Sequence, residues 1–276
     1  MTDTDDTSAP TADVRGVIVD LDGTVYRGDT LVPGAGDAIR SLRDRGIRVC
    51  FCSNNPTKTP AEYVERLAGM GIEADESLIL PASTVTRDYL RENHPEDPTY
   101  LVGSPSLGSY LRESGQRLVD DPREASVFVS SWDDAFDYDT LNDALAGVDD
   151  GTAFLGTDPD RTVPTGDGLM PGSGAITGCI ARTVGREPDH VLRKPSPEAA
   201  EAAFDRLDVS AEHCLVVGDR LDTDLAMGAR FGMGTALVHT GIACRADVPD
   251  SDVEPDSVLD SLADLPSILT CGPVDS

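Results

Sequence analysis

"GVIVDLDGTVYRG", residues 16–28, decides how the rest of the chain is read. Val17 to Val19 is a β-branched run of the kind buried on both faces of a parallel sheet. It ends in Asp20, an apolar spacer at Leu21, a second carboxylate at Asp22 and a turn at Gly23-Thr24, where Gly23 permits the tight bend. Working outward, Pro33 to Gly46 predicts a helix with an apolar stripe of Ala38, Ile39 and Leu42, stopped at Gly46. Ile47 to Cys52 predicts a second strand that runs into Ser53-Asn54-Asn55, and Thr59 to Met70 a second helix opened by Thr59-Pro60. Strand, helix, strand, helix is the rhythm of a doubly wound α/β fold.

The middle of the chain has its own pattern. Strands are expected at Thr99 to Val102, Ser126 to Ser130 and Thr152 to Leu155, alternating with helices at Ser106 to Glu113 and Tyr138 to Ala146. Asp158 to Gly174 reads as a Gly/Pro-rich loop. The opening rhythm then resumes with a helix at Pro197 to Leu207, a strand at Cys214 to Val217, the cluster "GDRLDTD", a helix to Ala229 and a strand at Thr235 to Val238. The expected organisation is a core of about residues 14–81 and 186–270, interrupted by a second α/β unit at about 82–185 joined through two short hinge strands.

Composition narrows the function. The net charge of −28 is spread along the chain, which argues against nucleic-acid or anionic-membrane partners, both of which need basic patches. Lys58 and Lys194 are the only lysines, and this imbalance reads as a folded surface adapted to high salt, where self-repulsion is screened. Recurring apolar strands exclude intrinsic disorder. The six cysteines (Cys50, Cys52, Cys179, Cys214, Cys244, Cys271) are scattered, lack zinc spacing and read as reduced core residues of a cytoplasmic protein. The first thirteen residues, acidic where a signal peptide is basic, read as a frayed tail.

Ligands of open α/β sheets bind beyond the carboxyl ends of the strands. Three polar clusters fall at predicted strand ends: Asp20 to Thr24, Ser53 to Asn55, and Gly218 to Asp224; a fourth, Arg193 to Pro197, precedes a helix. Carboxylates gathered at one edge repel unless a cation joins them, and an oxygen-only donor set suits magnesium. Such a metal beside Lys194 and a Ser/Asn turn makes a site for a phosphoryl group. Asp20 is then placed to attack phosphorus, and Asp22 to protonate the leaving oxygen and later deprotonate water.

These residues carry a resemblance. "DLDGT", "SNN", "RKPSPE" and "GDRLDTD", in that order, resemble the signatures of haloacid-dehalogenase (HAD) superfamily phosphatases. "DLDGTVYRG", "SNNPTKT", "FDYDTL" and "TDPDRTVPTGDGLMPGSGAI" narrow it to the class IIA branch, NagD-like and p-nitrophenyl-phosphatase-like. The resemblance implies a Rossmann-like core with an inserted α/β cap that can also make homodimer contacts, and a magnesium-dependent phosphatase acting on small phosphomonoesters through an aspartyl-phosphate. It implies Asp20 as nucleophile and metal ligand, Asp22 as acid/base with its carbonyl on magnesium, Asp219 as third ligand and Asp224 as support for the metal's water shell. Ser53, Asn54 and Lys194 would hold the phosphate, with Gly23 in the turn. Two positions depart from the pattern: Thr157-Asp158-Pro159-Asp160 stands where the family often has Thr-Asn-x-Asp, and Arg193-Lys194-Pro195 where it often has Gly-Lys-Pro.

Competing functions use the same residues. A dehalogenase would use Asp20 but not Asp22; a phosphotransferase or mutase would need the phosphoenzyme sheltered from water; a silent phosphate-binding protein would be expected to have lost a carboxylate, and none is missing. Asp222 reads as a solvated neighbour, the four histidines as structural or exposed, and Trp132 and Tyr138 as core residues of the insertion.

Overall fold

The computed structural model describes residues 13–165 and 168–269, so the N-terminal stretch before Asp13 and Cys271 lie outside the described residues. The chain runs β1 (Gly16–Asp20), a short hairpin of β2 (Tyr26–Arg27) and β3 (Thr30–Leu31), α1 (Ala35–Asp44), β4 (Arg48–Ser53), α2 (Pro60–Gly69) and β5 (Ile79–Pro81). It continues through α3 (Ala82–Asn93), β6 (Thr99–Val102), α4 (Pro105–Glu113), β7 (Val127–Ser130), α5 (Tyr138–Gly147) and β8 (Ala153–Gly156). Then come a second hairpin of β9 (Thr162–Thr165) and β10 (Gly168–Pro171), α6 (Ser173–Val184), β11 (His190–Val191) and α7 (Pro197–Leu207). The last stretch holds β12 (Cys214–Gly218), α8 (Ala226–Phe231), β13 (Gly234–Val238), β14 (Ser257–Leu259) and α9 (Leu265–Ile268).

The chain divides into two compact units. The first comprises residues up to Ser53, Val64–Leu80 and the chain from Ala200 on; the second comprises Asn54–Tyr63 and Pro81–Ala199. The first unit is built on a six-stranded sheet of order β14-β13-β12-β1-β4-β5. β1 pairs in parallel with both β12 and β4, and β12, β13 and β14 continue in parallel. Chain order reverses direction across the β1/β12 boundary, the switch point at which open α/β sheets bind ligands. The expected doubly wound core is present, and its central strand is buried on both faces: Val17, Ile18 and Val19 have no exposure.

The second unit carries a four-stranded sheet of order β11-β8-β7-β6, all parallel. Phe128 anchors its core against Val102, Phe154, Ile176 and Ile180. The Tyr100 ring stacks on Phe128 at 5.4 Å and Phe154 meets it edge-on at 6.0 Å. Among the described residues no helix of either unit is long and apolar enough to cross a membrane.

Three expectations are corrected. Asp158 to Gly174 is not a loop throughout, because Thr162–Thr165 and Gly168–Pro171 pair as an antiparallel hairpin; Pro164, Gly168 and Pro171, which signal irregular chain, lie within its short strands. Residues 166–167 of that stretch lie outside the described residues. Cys50, Cys52 and Cys214 are buried, but Cys179 and Cys244 are exposed: neither belongs to a strand of the sheets, Cys179 lying on α6 and Cys244 in the chain after β13. Tyr138 is 77% exposed, because it opens α5 directly after the Asp137 N-cap and points outward from that first turn, while Trp132 is half-buried.

Candidate active site

Asp20 is the last residue of β1, in register with Cys52 of β4, so the sheet itself fixes where its carboxylate begins. Leu21, with no exposure, anchors the turn that follows: its carbonyl accepts from the N–H groups of Thr24 (3.2 Å), Val25 (2.9 Å) and Tyr26 (3.2 Å). Gly23 closes the turn with φ +95° and donates its N–H to the Tyr26 carbonyl at 2.8 Å. The turn holds Asp22 at the surface, where the buried Tyr26 donates its hydroxyl to Asp22 Oδ2 at 3.5 Å. The two carboxylates of the motif therefore have different surroundings, one half-buried at a strand end and one exposed on a turn.

Asp219 follows β12 and is 2% exposed. Its Oδ2 accepts from the Ile242 N–H at 2.7 Å and its carbonyl from Ala243 N–H at 2.9 Å, which ties it to the chain after β13. Glycines make the room it occupies. A Cβ on Gly241 would sit 1.7 Å from Asp219 Oδ2, and one on Gly23 2.4 Å from the same atom. Thr240 donates its hydroxyl to the Gly23 carbonyl at 2.6 Å, joining the two turns that make this niche. Asp224 lies in a π-helical turn, Leu221–Leu225, a local widening found often at functional sites. Its Oδ2 accepts from the Arg220 N–H at 3.2 Å, and a Cβ on Gly218 would come within 2.2 Å of that oxygen.

Asp20, Asp219 and Asp224 come together, each offering a carboxylate oxygen within 4.8 Å of the other two. Three carboxylates this close repel one another unless a cation lies between them, and an all-oxygen set suits a hard divalent ion such as magnesium. The residues fit that ion. Asp222 takes no part in the trio: its carboxylate is ion-paired with Arg220 at 2.9 Å and two-thirds exposed.

Ser53, 6% exposed, ends β4 at the same sheet edge as Asp20 and Asp219. Asn54 and Lys194 belong to the second unit and are joined there. Asn54 Oδ1 accepts from the Lys194 N–H at 3.0 Å and its Nδ2 donates to the Lys194 carbonyl at 3.4 Å, so one side-chain amide bridges the peptide links on either side of Lys194. Lys194 is 1% exposed, a burial that a lysine tolerates only among compensating groups. Sequence reasoning passed over Tyr26, Thr240, Gly241 and Ile242, which shape the Asp22 and Asp219 positions. The signal available for the last three was a Thr-Gly turn directly after a core strand.

Comparison with known proteins assigns the family. The haloacid dehalogenase-like hydrolase family matches residues 17–117, and a HAD-hydrolase-like family matches residues 191–265. The sugar-phosphatase AraL of Bacillus subtilis (strain 168) is 35% identical over 250 residues, covering 91% of each chain. The solved p-nitrophenyl phosphatase from Archaeoglobus fulgidus superposes with a TM-score of 0.88 at 33% identity, over 93% of this chain and all of that one. NagD from E. coli K-12 superposes at 0.84 and 27% identity over 91% of this chain and 98% of that one. The chain belongs to the haloacid dehalogenase-like hydrolases, with NagD and p-nitrophenylphosphatases as structural neighbours.

Proposed function

We propose that this hydrolase is a magnesium-dependent phosphatase that cleaves small phosphomonoesters through an aspartyl-phosphate on Asp20, with sugar phosphates as its first candidate substrates. That the chain is an enzyme, a phosphoric monoester hydrolase, follows from its family and from relatives named sugar phosphatase and p-nitrophenyl phosphatase. The observation that carries the mechanism is the gathering of Asp20, Asp219 and Asp224 oxygens within 4.8 Å at a sheet switch point, with Asp22 two residues beyond Asp20.

Asp20 and Asp219, with the Asp22 carbonyl, would hold the magnesium, and Asp224 would support its water shell. When bound, the metal neutralises the carboxylates and the phosphoryl oxygens so that one anion can approach another. In the first step an Asp20 carboxylate oxygen bonds to phosphorus as the bond from phosphorus to the leaving oxygen breaks, and Asp22 gives that oxygen a proton. In the second step Asp22 takes a proton from water, the resulting hydroxide bonds to phosphorus, and the bond from phosphorus to Asp20 breaks, freeing inorganic phosphate. The difference in surroundings supports this division of labour: the exposed Asp22 exchanges protons with solvent, while Asp20 is aimed by its strand. Ser53, Asn54 and Lys194 are assigned to the phosphoryl oxygens, and Gly23 to the turn beside them.

Phosphate release across a panel of sugar phosphates, nucleoside monophosphates, phosphoglycolate, glycerol phosphate and p-nitrophenyl phosphate tests the proposal, in high salt with magnesium. Turnover of a few substrates that Asp20→Asn abolishes is the expected result. Release that survives the substitution, or that ignores chelation of the metal, refutes the mechanism. The charge of −28 further supports a working environment of high salt.

A further inference from the structure

The two departures from the family pattern meet in space. Within the second unit, Arg193 Nε lies 3.4 Å from Asp158 Oδ1 and its Nη2 donates to Asp160 Oδ1 at 3.2 Å. The pairing is enclosed, the Arg193 side chain being 7% and the Asp158 side chain 9% exposed. One hydrogen bond to Asp160 and a charge contact with Asp158 set the planar guanidinium between two separate carboxylates, which restricts its orientation as well as neutralising its charge.

Each end of this grip is itself anchored. On one side, the Asp158-Pro159-Asp160 turn is closed by the Asp160 N–H donating to Asp158 Oδ1 at 3.0 Å. The turn is pressed against the start of α6: the Gly174 N–H donates to the Asp160 carbonyl at 2.9 Å, and a Cβ on Gly174 would meet the Pro159 carbonyl at 2.0 Å. On the other side, the Ser196 N–H donates to the Arg193 carbonyl at 2.7 Å, and Asn54 bridges the Lys194 N–H and carbonyl. Lys194 thus stands between an amide clamp and an arginine clamp.

We propose that Arg193 is a positioning residue for Lys194: through Asp158 and Asp160 it makes the turn after β8 and the lysine-bearing segment one mechanical piece. The proposal rests on the phosphate role assigned to Lys194 above. An arginine serving only as a counter-charge for the buried Asp158 and its half-buried neighbour Asp160 would be dispensable once the buried charge was removed. A positioning arginine would not, because the tie itself is what places the lysine.

The test measures melting temperature, kcat and KM for p-nitrophenyl phosphate, and the inhibition constant of inorganic phosphate, in high salt with magnesium. The variants are Arg193→Gly, the paired Arg193→Gly with Asp158→Asn, and Lys194→Met. Arg193→Gly is expected to weaken phosphate inhibition and raise KM about tenfold, with a smaller change in kcat. The paired variant is expected to recover melting temperature, since no buried aspartate at 158 is left facing an empty place, while the phosphate constant stays raised. A phosphate constant unchanged in Arg193→Gly, or restored to wild type in the paired variant, overturns the positioning role. Lys194→Met separates this from the underlying reading: a constant unmoved there overturns the lysine's phosphate role and the proposal with it. A constant raised by Lys194→Met but not by Arg193→Gly overturns the positioning role alone.

Discussion

Replacing Gly241 by alanine adds a single methyl group at the point where the Asp219 carboxylate has least room. The new Cβ would lie 1.7 Å from Oδ2 where real contacts stay beyond 3.0 Å, so the oxygen must retreat by more than about 1 Å. Gly241 is not in the left-handed region, so the backbone tolerates alanine and the whole effect falls on its neighbour. Retreat breaks the 2.7 Å bond from the Ile242 N–H. A hydrogen bond to a charged group is worth about 1.5–3 kcal/mol, on the order of 10- to 100-fold in an equilibrium constant. Losses of supporting contacts around metal ligands fall in the same range, about 10- to 100-fold in metal affinity. The magnesium concentration giving half-maximal phosphatase activity should therefore rise by about that factor, with the fold retained. Gly178→Ala is the control: the site is exposed within α6 with open space around it, so activation should not change and stability should rise by about 0.5–1 kcal/mol. Magnesium activation of Gly241→Ala identical to wild type would refute the placement of Asp219 as a metal ligand.

Three other outcomes are expected. Cys179 and Cys244 should be alkylated in the native protein, while Cys50, Cys52 and Cys214 stay protected until unfolding; burial pushes the Cys214 thiol up to about 11, which removes its thiolate at neutral pH, and mass-spectrometric mapping reads the pattern. Phe128→Ala, at a fully buried ring between Tyr100 and Phe154, should cost about 3–5 kcal/mol in denaturant unfolding, and a loss under 1 kcal/mol would contradict the described core of the second unit. Lowering salt should lower the melting temperature, because a net charge of −28 repels itself once screening is lost; a melting temperature indifferent to salt would contradict the reading of the surface.

The legible parts of the fold were those where one physical signal dominates. Val17 to Val19 shows burial on both faces, and β6 and α7 fall on their expected bounds because their patterns are bordered by prolines at Pro98 and Pro197. α3 and α6 gave no such signal: "ASTVTRD" is rich in β-branched residues and "SGAITGC" holds two glycines, so both helices owe their formation to packing over weak local preference. β11 and β14, of two and three residues, carry too little pattern to register. Within the site, the carboxylates were legible because Asp-x-Asp-Gly and Gly-Asp stand at strand ends. What sits around them was not, since the niche of Asp219 is made by residues far along the chain, and the Arg193 contact with Asp158 appears in sequence only as two separate oddities.

The division of the chain has a consequence for the order of synthesis. The second unit is nearly continuous and ends at Ala199, so once that residue has left the ribosome the whole unit is available to fold. The first unit cannot close then, because β12, the neighbour of β1, has yet to emerge. Asp20 is among the earliest strand residues to emerge, yet its partners Asp219 and Asp224 arrive only after the whole of the second unit. A nascent or truncated chain ending before Asp219 carries the proposed nucleophile and both proposed phosphate-binding side chains of the second unit, and still lacks the carboxylates with which Asp20 would share a metal. The proposed metal site is thereby completed only when synthesis is nearly finished.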